Sequence, residues 1–220
     1  YANVDTTKFT EKSVFLTINI KKYALAEVDP TDENYGLALE KIYGEADGNL
    51  EFQIDGIGTD GKLSASLKRE EGEVVGSYDI TEIIFVNSNY EVSFKACSYE
   101  IKAKALDITP NNIENSTKIY GEADGELYED IAGVNDETLR VIYSRSAGEN
   151  VGKYDVAFSN VIKLTTDEFG AIVPVKDEFG NYVENANYSV TLADGTGTEK
   201  YEITKRKATV TAVSIQKVFD

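Results

Sequence analysis

The chain repeats itself, and this repetition limits its possible folds more than any other feature of the sequence. The octapeptide KIYGEADG occupies residues 41–48 and returns unchanged at residues 118–125. Three more matching pairs follow in the same order: GEVVGSYD (72–79) with GENVGKYD (148–155), NYEVSF (89–94) with NYSVTL (187–192), and YEIKAKALDIT (99–109) with YEITKRKATVT (201–211). Because the order is kept, the sequence predicts two tandem copies of one structural module.

The matching strings set the predicted domain boundaries. The first copy covers residues 24–104 and the second covers residues 105–207. The second copy is longer because of an insertion at about 161–184, which holds DEFG twice between apolar runs and predicts an added hairpin. Residues 1–23 resemble the tail of a preceding repeat, or N-terminal strands, and residues 208–220 resemble the start of a further repeat. The chain is therefore interpreted as a segment of a longer array.

Alternating apolar and polar residues predict that each copy is built from short strands. Phe52 and Ile54 alternate with charged and amide side chains, and Tyr99 and Ile101 keep the same period of two. Such runs, separated by Gly, Asn and Asp turns, favour a mostly β fold of two small antiparallel modules, with an Ig-like sandwich preferred. The alternative is a β-grasp-like α+β sheet, in which residues 31–44 would form a helix capped by Thr31 or Asp32.

The joint between the copies contains no flexible linker. Residues 99–109 run from the last predicted strand of one copy into the first predicted strand of the next, without a Gly/Ser-rich or Pro-rich stretch. The alternation also slips by an odd step within this segment, which changes the buried face. One extended segment is therefore expected to serve two neighbouring cores and to stiffen the joint.

Composition excludes several classes of function. The formal net charge of −17 disfavours nucleic acid and anionic lipid as partners. The chain has no His, so His-based catalytic triads and the usual zinc sites are excluded, and Cys97 has no His to activate it. No apolar run is long enough to cross a bilayer, and the N-terminal residues do not have the pattern of a signal peptide. An enzyme is the least favoured hypothesis.

Taken together, the repeated strings resemble the MBG-type repeats, the YGX kind, of bacterial cell-surface proteins. The resemblance rests on KIYGEADG, on GEVVGSYDI with GENVGKYDV, and on the paired NY and YEI strings, and it spans roughly residues 24–212. It implies an extracellular location on a wall-attached parent protein, such as a Gram-positive adhesin, and no catalytic residues. Two features depart from the family pattern: Gly48 and Gly125 stand where Pro is frequent, and the second copy carries the insertion.

The repeated Tyr-Gly and Gly-x-Tyr pairs have both structural and functional interpretations. Tyr43 and Tyr120 either pack at the edge of a core or form an exposed platform for glycan stacking, while Gly44 and Gly121 supply a turn. The remaining signature residues predict a tyrosine corner, in which a Tyr hydroxyl ties a loop to the backbone: Gly76, Tyr78, Gly152 and Tyr154.

The acidic residues of the octapeptide are candidate metal ligands. Asp47 and Asp124, each beside a Glu two residues earlier, either lie in a solvated turn or help to bind Ca²⁺. No other cofactor is expected. Lysine side chains could also form isopeptide bonds beside a buried carboxylate, but no spacing selects one of them.

Two functions remain after these exclusions. The favoured one is a non-catalytic spacer in the stalk of a surface adhesin, whose partners are neighbouring repeats of the same chain. The alternative is an adhesive module for host mucin, another glycan or an extracellular-matrix protein, using the exposed Tyr residues or the insertion at 161–184.

Overall fold

The computed structural model describes residues 16–217 and confirms the mostly β prediction. The first seven strands are β1 (Tyr23–Ala24), β2 (Glu40–Ile42), β3 (Glu51–Asp55), β4 (Lys62–Arg69), β5 (Gly76–Phe85), β6 (Tyr90–Glu91) and β7 (Ser98–Lys102). Within the described part of the chain they pair only with one another, as β1-β6 and as the five-stranded sheet β2-β7-β5-β4-β3. We call this set the first module.

The remaining ten strands form the second module. They are β8 (Lys104–Ile108), β9 (Thr117–Ile119), β10 (Leu127–Ala132), β11 (Thr138–Arg145), β12 (Gly152–Tyr154), β13 (Val156–Ile162), β14 (Leu164–Thr166), β15 (Ile172–Pro174), β16 (Tyr188–Leu192) and β17 (Tyr201–Thr204). Their sheets are β8-β16, β9-β17-β12 and β10-β11-β13, so each pairing of the first module has a counterpart here. The insertion forms the extra antiparallel hairpin β14-β15.

The pairing within each module is mixed, because parallel pairs accompany the predicted antiparallel ones. The central strands β3, β4 and β5 are antiparallel neighbours, and β5 is antiparallel to β7. By contrast, β1 pairs with β6 and β2 pairs with β7 in parallel, and β8-β16 and β9-β17 repeat this arrangement. Parallel pairs require a chain crossover, and short sequence alternation carries no information about such long-range connections.

Helical structure is limited to one short turn within the described residues. The segment 31–44, considered above as a helix, contains a 3₁₀ helix at Glu33–Tyr35 with no buried residue, followed by strand β2. Asp32 caps this turn by accepting a hydrogen bond from the backbone N–H of Asn34. Tyr35 packs edge-on against Phe52 of β3, but the turn has only 3 residues, so the helix that a β-grasp module needs is not formed here.

Two hydrophobic clusters hold the strands together. One joins buried side chains of the first module, including Phe52, Leu67 and Ile101, to Leu139 and Tyr188 of the second module. The other lies wholly inside the second module and contains Val141, Tyr143, Tyr201 and Ile203. The first cluster therefore crosses the boundary between the modules.

The boundary itself is a single residue. Strand β7 ends at Lys102 and β8 begins at Lys104, with Ala103 between them. β7 pairs within the first module and β8 pairs within the second, so one extended segment contributes to both.

Of the predicted flanking segments, residues 1–15 and 218–220 lie outside the described residues. Between residues 16 and 217 no helix is long and apolar enough to span a membrane.

Candidate functional site

The repeated octapeptide begins in a strand and ends in a turn, and in the first module this turn faces the neighbouring module. In the first module β2 turns Lys41 inward, where it is buried, and Tyr43 follows directly after the strand. The next residue, Gly44, has a φ of 86°, and its counterpart Gly121 has a φ of 83°. Glycine adopts this left-handed conformation without steric cost, so the turn depends on glycine at both positions.

Four charged side chains of the first module form a closed ionic network beside this turn. The Lys41 ammonium lies 2.7 Å from Oδ1 of Asp47 and also contacts Glu73. The Arg69 guanidinium lies 2.8 Å from Oδ2 of Asp47 and 2.7 Å from Oε1 of Glu73. Both cationic side chains are almost fully buried, and each binds both carboxylates. The network therefore joins the octapeptide to β4 and to the loop that follows it.

The second module repeats this network. Lys118 lies 2.7 Å from Asp124 and 2.6 Å from Glu149, and Arg145 lies 2.7 Å and 2.6 Å from the same two carboxylates. The hydroxyl of Tyr201 also donates to Asp124 at 2.7 Å. Repetition of all four charged residues indicates that the octapeptide is first of all a folding signature.

Hydrogen bonds keep these groups in their ionised forms. Those from Arg69 and Lys41 lower the pKa of Asp47 to about 2, although partial burial opposes the shift. Burial alone would lower the pKa of Lys41, but the two carboxylates outweigh it and raise that pKa. An isopeptide bond requires a neutral amine, so this arrangement favours the ion pair over a covalent link.

The same geometry offers protein cations, rather than an open site, to Asp47 and Asp124, the two candidate Ca²⁺ ligands. The negative charge that Ca²⁺ would neutralise already faces protein cations, and both oxygens of Asp47 accept hydrogen bonds from Arg69. Across residues 16–217, no group of three or more Asp, Glu or Cys side chains is arranged to hold a metal ion.

The Gly-x-Tyr motifs fix the loop that carries the second carboxylate of each network. The hydroxyl of Tyr78 donates to the Val74 carbonyl at 2.7 Å, and Tyr154 makes the same bond to Asn150. Each Tyr ring covers a glycine that the sequence analysis did not select. A Cβ on Gly72 would lie 2.2 Å from the Tyr78 ring, closer than atoms can approach. Glycine at this position therefore lets the ring close over the loop.

Tyr43 and Gly44 meet the second module directly. Tyr43 is only 8% exposed, its ring packs edge-on against Tyr188 at 5.4 Å between centroids, and its hydroxyl donates to Glu137. A Cβ on Gly44 would lie 2.6 Å from Cγ2 of Val134. Tyr43 is therefore a junction residue, which corrects its interpretation as an exposed glycan platform.

Two further contacts complete the junction. The hydroxyl of Tyr188 donates to the second oxygen of Glu137 at 2.6 Å, so this carboxylate accepts from one Tyr of each module. The backbone N–H of Val75 donates to Oδ1 of Asn187 at 3.0 Å. Burial and the Glu137 contact raise the pKa of Tyr43 to about 12, which keeps its hydroxyl protonated well into the alkaline range. The junction thus combines close packing with part-buried, satisfied hydrogen bonds.

Comparison with known protein families identifies part of the chain. Residues 37–104 match the family model of the MBG domain (YGX type). The resemblance of the repeated motifs to this family is confirmed for that segment, and MBG domains are found in surface proteins. No curated protein and no solved structure matches the chain.

The second copy of the octapeptide lies outside the matched MBG segment and in a different environment. Tyr120, the counterpart of Tyr43, is 49% exposed. The nearest atoms to a Cβ on Gly121 belong to the guanidinium of Arg206, 3.8 Å away. Identical residues are thus buried in the MBG domain, where a module follows it, and exposed in the second module.

Several residues at these sites were missed by sequence reasoning alone. They are Lys41, Arg69, Glu73, Gly72 and their counterparts in the second module, together with Val134, Glu137 and Asn187. A signal was available for the first group, since charged residues and glycines recur at matching positions of both copies. No such signal identified the junction residues of the second module, because their role depends on which module precedes them.

Proposed function

We propose that the chain is a non-catalytic spacer segment of a secreted, repetitive bacterial surface protein, in which packed junctions stiffen the stalk of an adhesin. The supporting observation is the burial of Tyr43 between the modules, with its hydroxyl on Glu137. Domains joined by polar, flexible linkers move relative to one another, whereas an apolar junction with satisfied hydrogen bonds limits bending. The connection between β7 and β8 is the single residue Ala103, which also limits bending between the modules.

Spin-label distances test this stiffness. Lys68 on β4 and Ser144 on β11 are matching, exposed strand positions of the two modules, so cysteines placed there report the relative position of the modules. With Cys97→Ser as the background and spin labels at positions 68 and 144, the distribution of label-to-label distances should be narrow. A matched variant with four Gly and Ser residues inserted after Ala103 should broaden it. Equally broad distributions in both proteins would count against a stiff junction and therefore against the spacer role.

Solution scattering supplies a second test. A compact 220-residue protein has a radius of gyration of about 17 Å, whereas two touching modules of about 100 residues each give about 21 Å. The spacer proposal expects the larger value, with a further increase in the chain with the inserted linker. A value near that of a compact sphere would contradict an end-to-end arrangement.

An adhesive module is the second candidate, and the insertion supports it. Phe169 and Phe179 are both strongly exposed at the tips of two similar turns. Asp167 and Asp177 close these turns by accepting backbone N–H groups of the two Phe residues at 2.9 Å. Exposed aromatic rings on ordered turns suit stacking against glycans or packing against a matrix protein.

Binding assays separate the two candidates. The adhesive role expects binding of the chain to mucin, a glycan array or matrix proteins, and loss of that binding in the Phe169→Ala/Phe179→Ala double variant. A Tyr120→Ala variant distinguishes the insertion from the exposed Tyr. Absence of binding across all three classes of target would leave the spacer role as the supported one.

A further inference from the structure

Each module has two ends that differ in their chemistry. We call the end carrying the octapeptide Tyr and the Val of the Gly-x-Tyr loop the donor face: Tyr43 and Val75 in the first module. The opposite end, which receives them in the second module, is the acceptor face, formed by Val134, Glu137 and Asn187 with the Tyr that follows. At the junction inside this chain, the two faces are joined.

The first module carries an acceptor face of the same construction. The hydroxyl of Tyr90 donates to Asp60 and accepts from the backbone N–H of Ile57 at 3.2 Å. In the second module Tyr188 donates to Glu137 and accepts from Val134, so the bonds correspond one to one. Ile57, the counterpart of Val134, is 45% exposed.

The second module carries a donor face of the same construction that is uncovered. Tyr120 and Val151, the counterparts of Tyr43 and Val75, are 49% and 46% exposed. Tyr43 in the joined junction is 8% exposed, although the octapeptides are identical. The difference therefore comes from what lies against the two faces.

A backbone segment beside this uncovered donor face is also unpaired. Residues 206–210 occupy the position that β8 holds after the first module, where β8 enters the second module by pairing in parallel with β16. Among the described residues, 206–210 belong to no strand, and the side chain of Val210 is exposed. The uncovered face and the unpaired segment are adjacent in space, because the backbone N–H of Tyr120 donates to the carbonyl of Thr204, where β17 ends, at 2.8 Å.

We infer that the exposed face of Tyr120 and Val151 is a docking surface for the acceptor face of a further module of the same kind. The incoming carboxylate accepts from the Tyr120 hydroxyl, as Glu137 accepts from Tyr43. An incoming Val or Ile packs on Gly121 in the place that Arg206 now occupies. Residues 206–210 then pair as the first strand of that module. This inference deepens the proposed spacer function and rests on it.

An extended chain tests the inference in a single polypeptide. Residues 1–205 are followed directly by a second copy of residues 104–220, which places a third module in the register found at the existing junction. In a Cys97→Ser background, Val151→Cys is introduced in the middle module alone. Its rate of thiol labelling should fall by at least about tenfold relative to the same substitution in the native chain, because docking covers this position. A Val75→Cys variant of the native chain gives the rate for a joined face.

Two controls make the labelling result specific. Tyr120→Ala in the middle module of the extended chain should restore fast labelling, since it removes the ring that fills the junction. A cysteine at Lys68, which is exposed on β4, should label at the same rate in the native and extended chains. Slow labelling at both cysteines would indicate non-specific collapse of the longer chain and would contradict the inference.

A second measurement uses only native-length chains. Chains with Val151→Cys are mixed with chains carrying Asn89→Cys, the counterpart of Asn187, and are then oxidised. Head-to-tail docking should raise the proportion of mixed disulfide dimers above the random value. If the proportion is random and labelling of Val151→Cys is equally fast in the native and extended chains, the inference is overturned.

The outcomes also separate this inference from the proposed function. Failure of docking at Tyr120, with a narrow spin-label distribution across the existing junction, removes the inference and leaves the spacer role intact. A broad distribution across the existing junction removes the spacer role itself. Binding of a glycan at Tyr120, without any protection in the extended chain, would replace the docking surface with an adhesive site.

Discussion

Replacing Gly44 with Ala is the sharpest test of the junction, because the chain contains its own control. Gly44 and Gly121 occupy the same position of identical octapeptides and have φ values of 86° and 83°. An added methyl group strains the backbone equally at both positions. At Gly44 alone it also meets a neighbouring module, at 2.6 Å from Cγ2 and 2.9 Å from Cβ of Val134. At Gly121 the nearest atoms are 3.8 Å away, on a flexible Arg.

The expected free-energy losses follow from these distances. A non-glycine residue in the left-handed region costs roughly 1–2 kcal/mol, which is the whole expected effect of Gly121→Ala. Forcing an extra methyl group into a packed contact adds about 1–3 kcal/mol. Gly44→Ala should therefore destabilise the protein by about 2–5 kcal/mol, and the difference between the variants should lie near 1–3 kcal/mol.

Urea denaturation followed by circular dichroism measures both variants under identical conditions. A double-mutant cycle with Val134→Gly then isolates the contact, since removing that side chain should reduce the cost of Gly44→Ala to that of Gly121→Ala. Equal losses for Gly44→Ala and Gly121→Ala would refute the packed junction. A coupling energy near zero in the cycle would place the strain elsewhere than at Val134.

Three further predictions concern the pH dependence and the corner glycines. The pKa of Tyr43 is raised to about 12. Its contribution to folding stability is therefore complete below about pH 10, the pKa of Tyr in the unfolded chain, and is lost as the pH rises through about 12. Urea denaturation at a series of alkaline pH values should show this loss of unfolding free energy, and the loss should be smaller in the Tyr43→Phe variant. The pKa of Asp47 is lowered to about 2, so its contribution of about 1 kcal/mol, after allowance for solvent screening, is lost as the pH falls from about 4 to 2. An unchanged acid profile of the melting temperature in Asp47→Asn would contradict the ionic network. Gly72→Ala and Gly148→Ala place a methyl group 2.2 Å and 2.4 Å from the corner Tyr rings, and each should cost more than about 2 kcal/mol in denaturant unfolding; a cost below about 0.5 kcal/mol at either position would show that the ring moves aside freely.

Local sequence patterns predicted the strand content and the turn chemistry well. The alternation at Phe52 and Ile54 and at Tyr99 and Ile101 corresponds to strands that bury these residues, because a period of two places them on one face of a sheet. The continuous joint could also be predicted, because residues 99–109 contain no flexible linker, and β7 and β8 follow each other directly in the structure. What the alternation could not supply was the parallel pairing of β2 with β7, which depends on how the chain crosses over.

For the candidate site, too, some properties could be predicted from the sequence and others depended on the tertiary structure. The recurrence of KIYGEADG determined that Tyr43 and Tyr120 belong to one structural signature, and composition determined that His-based chemistry is excluded. The sequence could not separate the fates of these two identical strings, and only the tertiary structure did so. Tyr43 is buried because Val134, Glu137 and Tyr188 of the following module lie against it, whereas Tyr120 is 49% exposed among the described residues. Burial is a property of what surrounds a residue, and the surroundings of these two tyrosines differ while their own sequences do not.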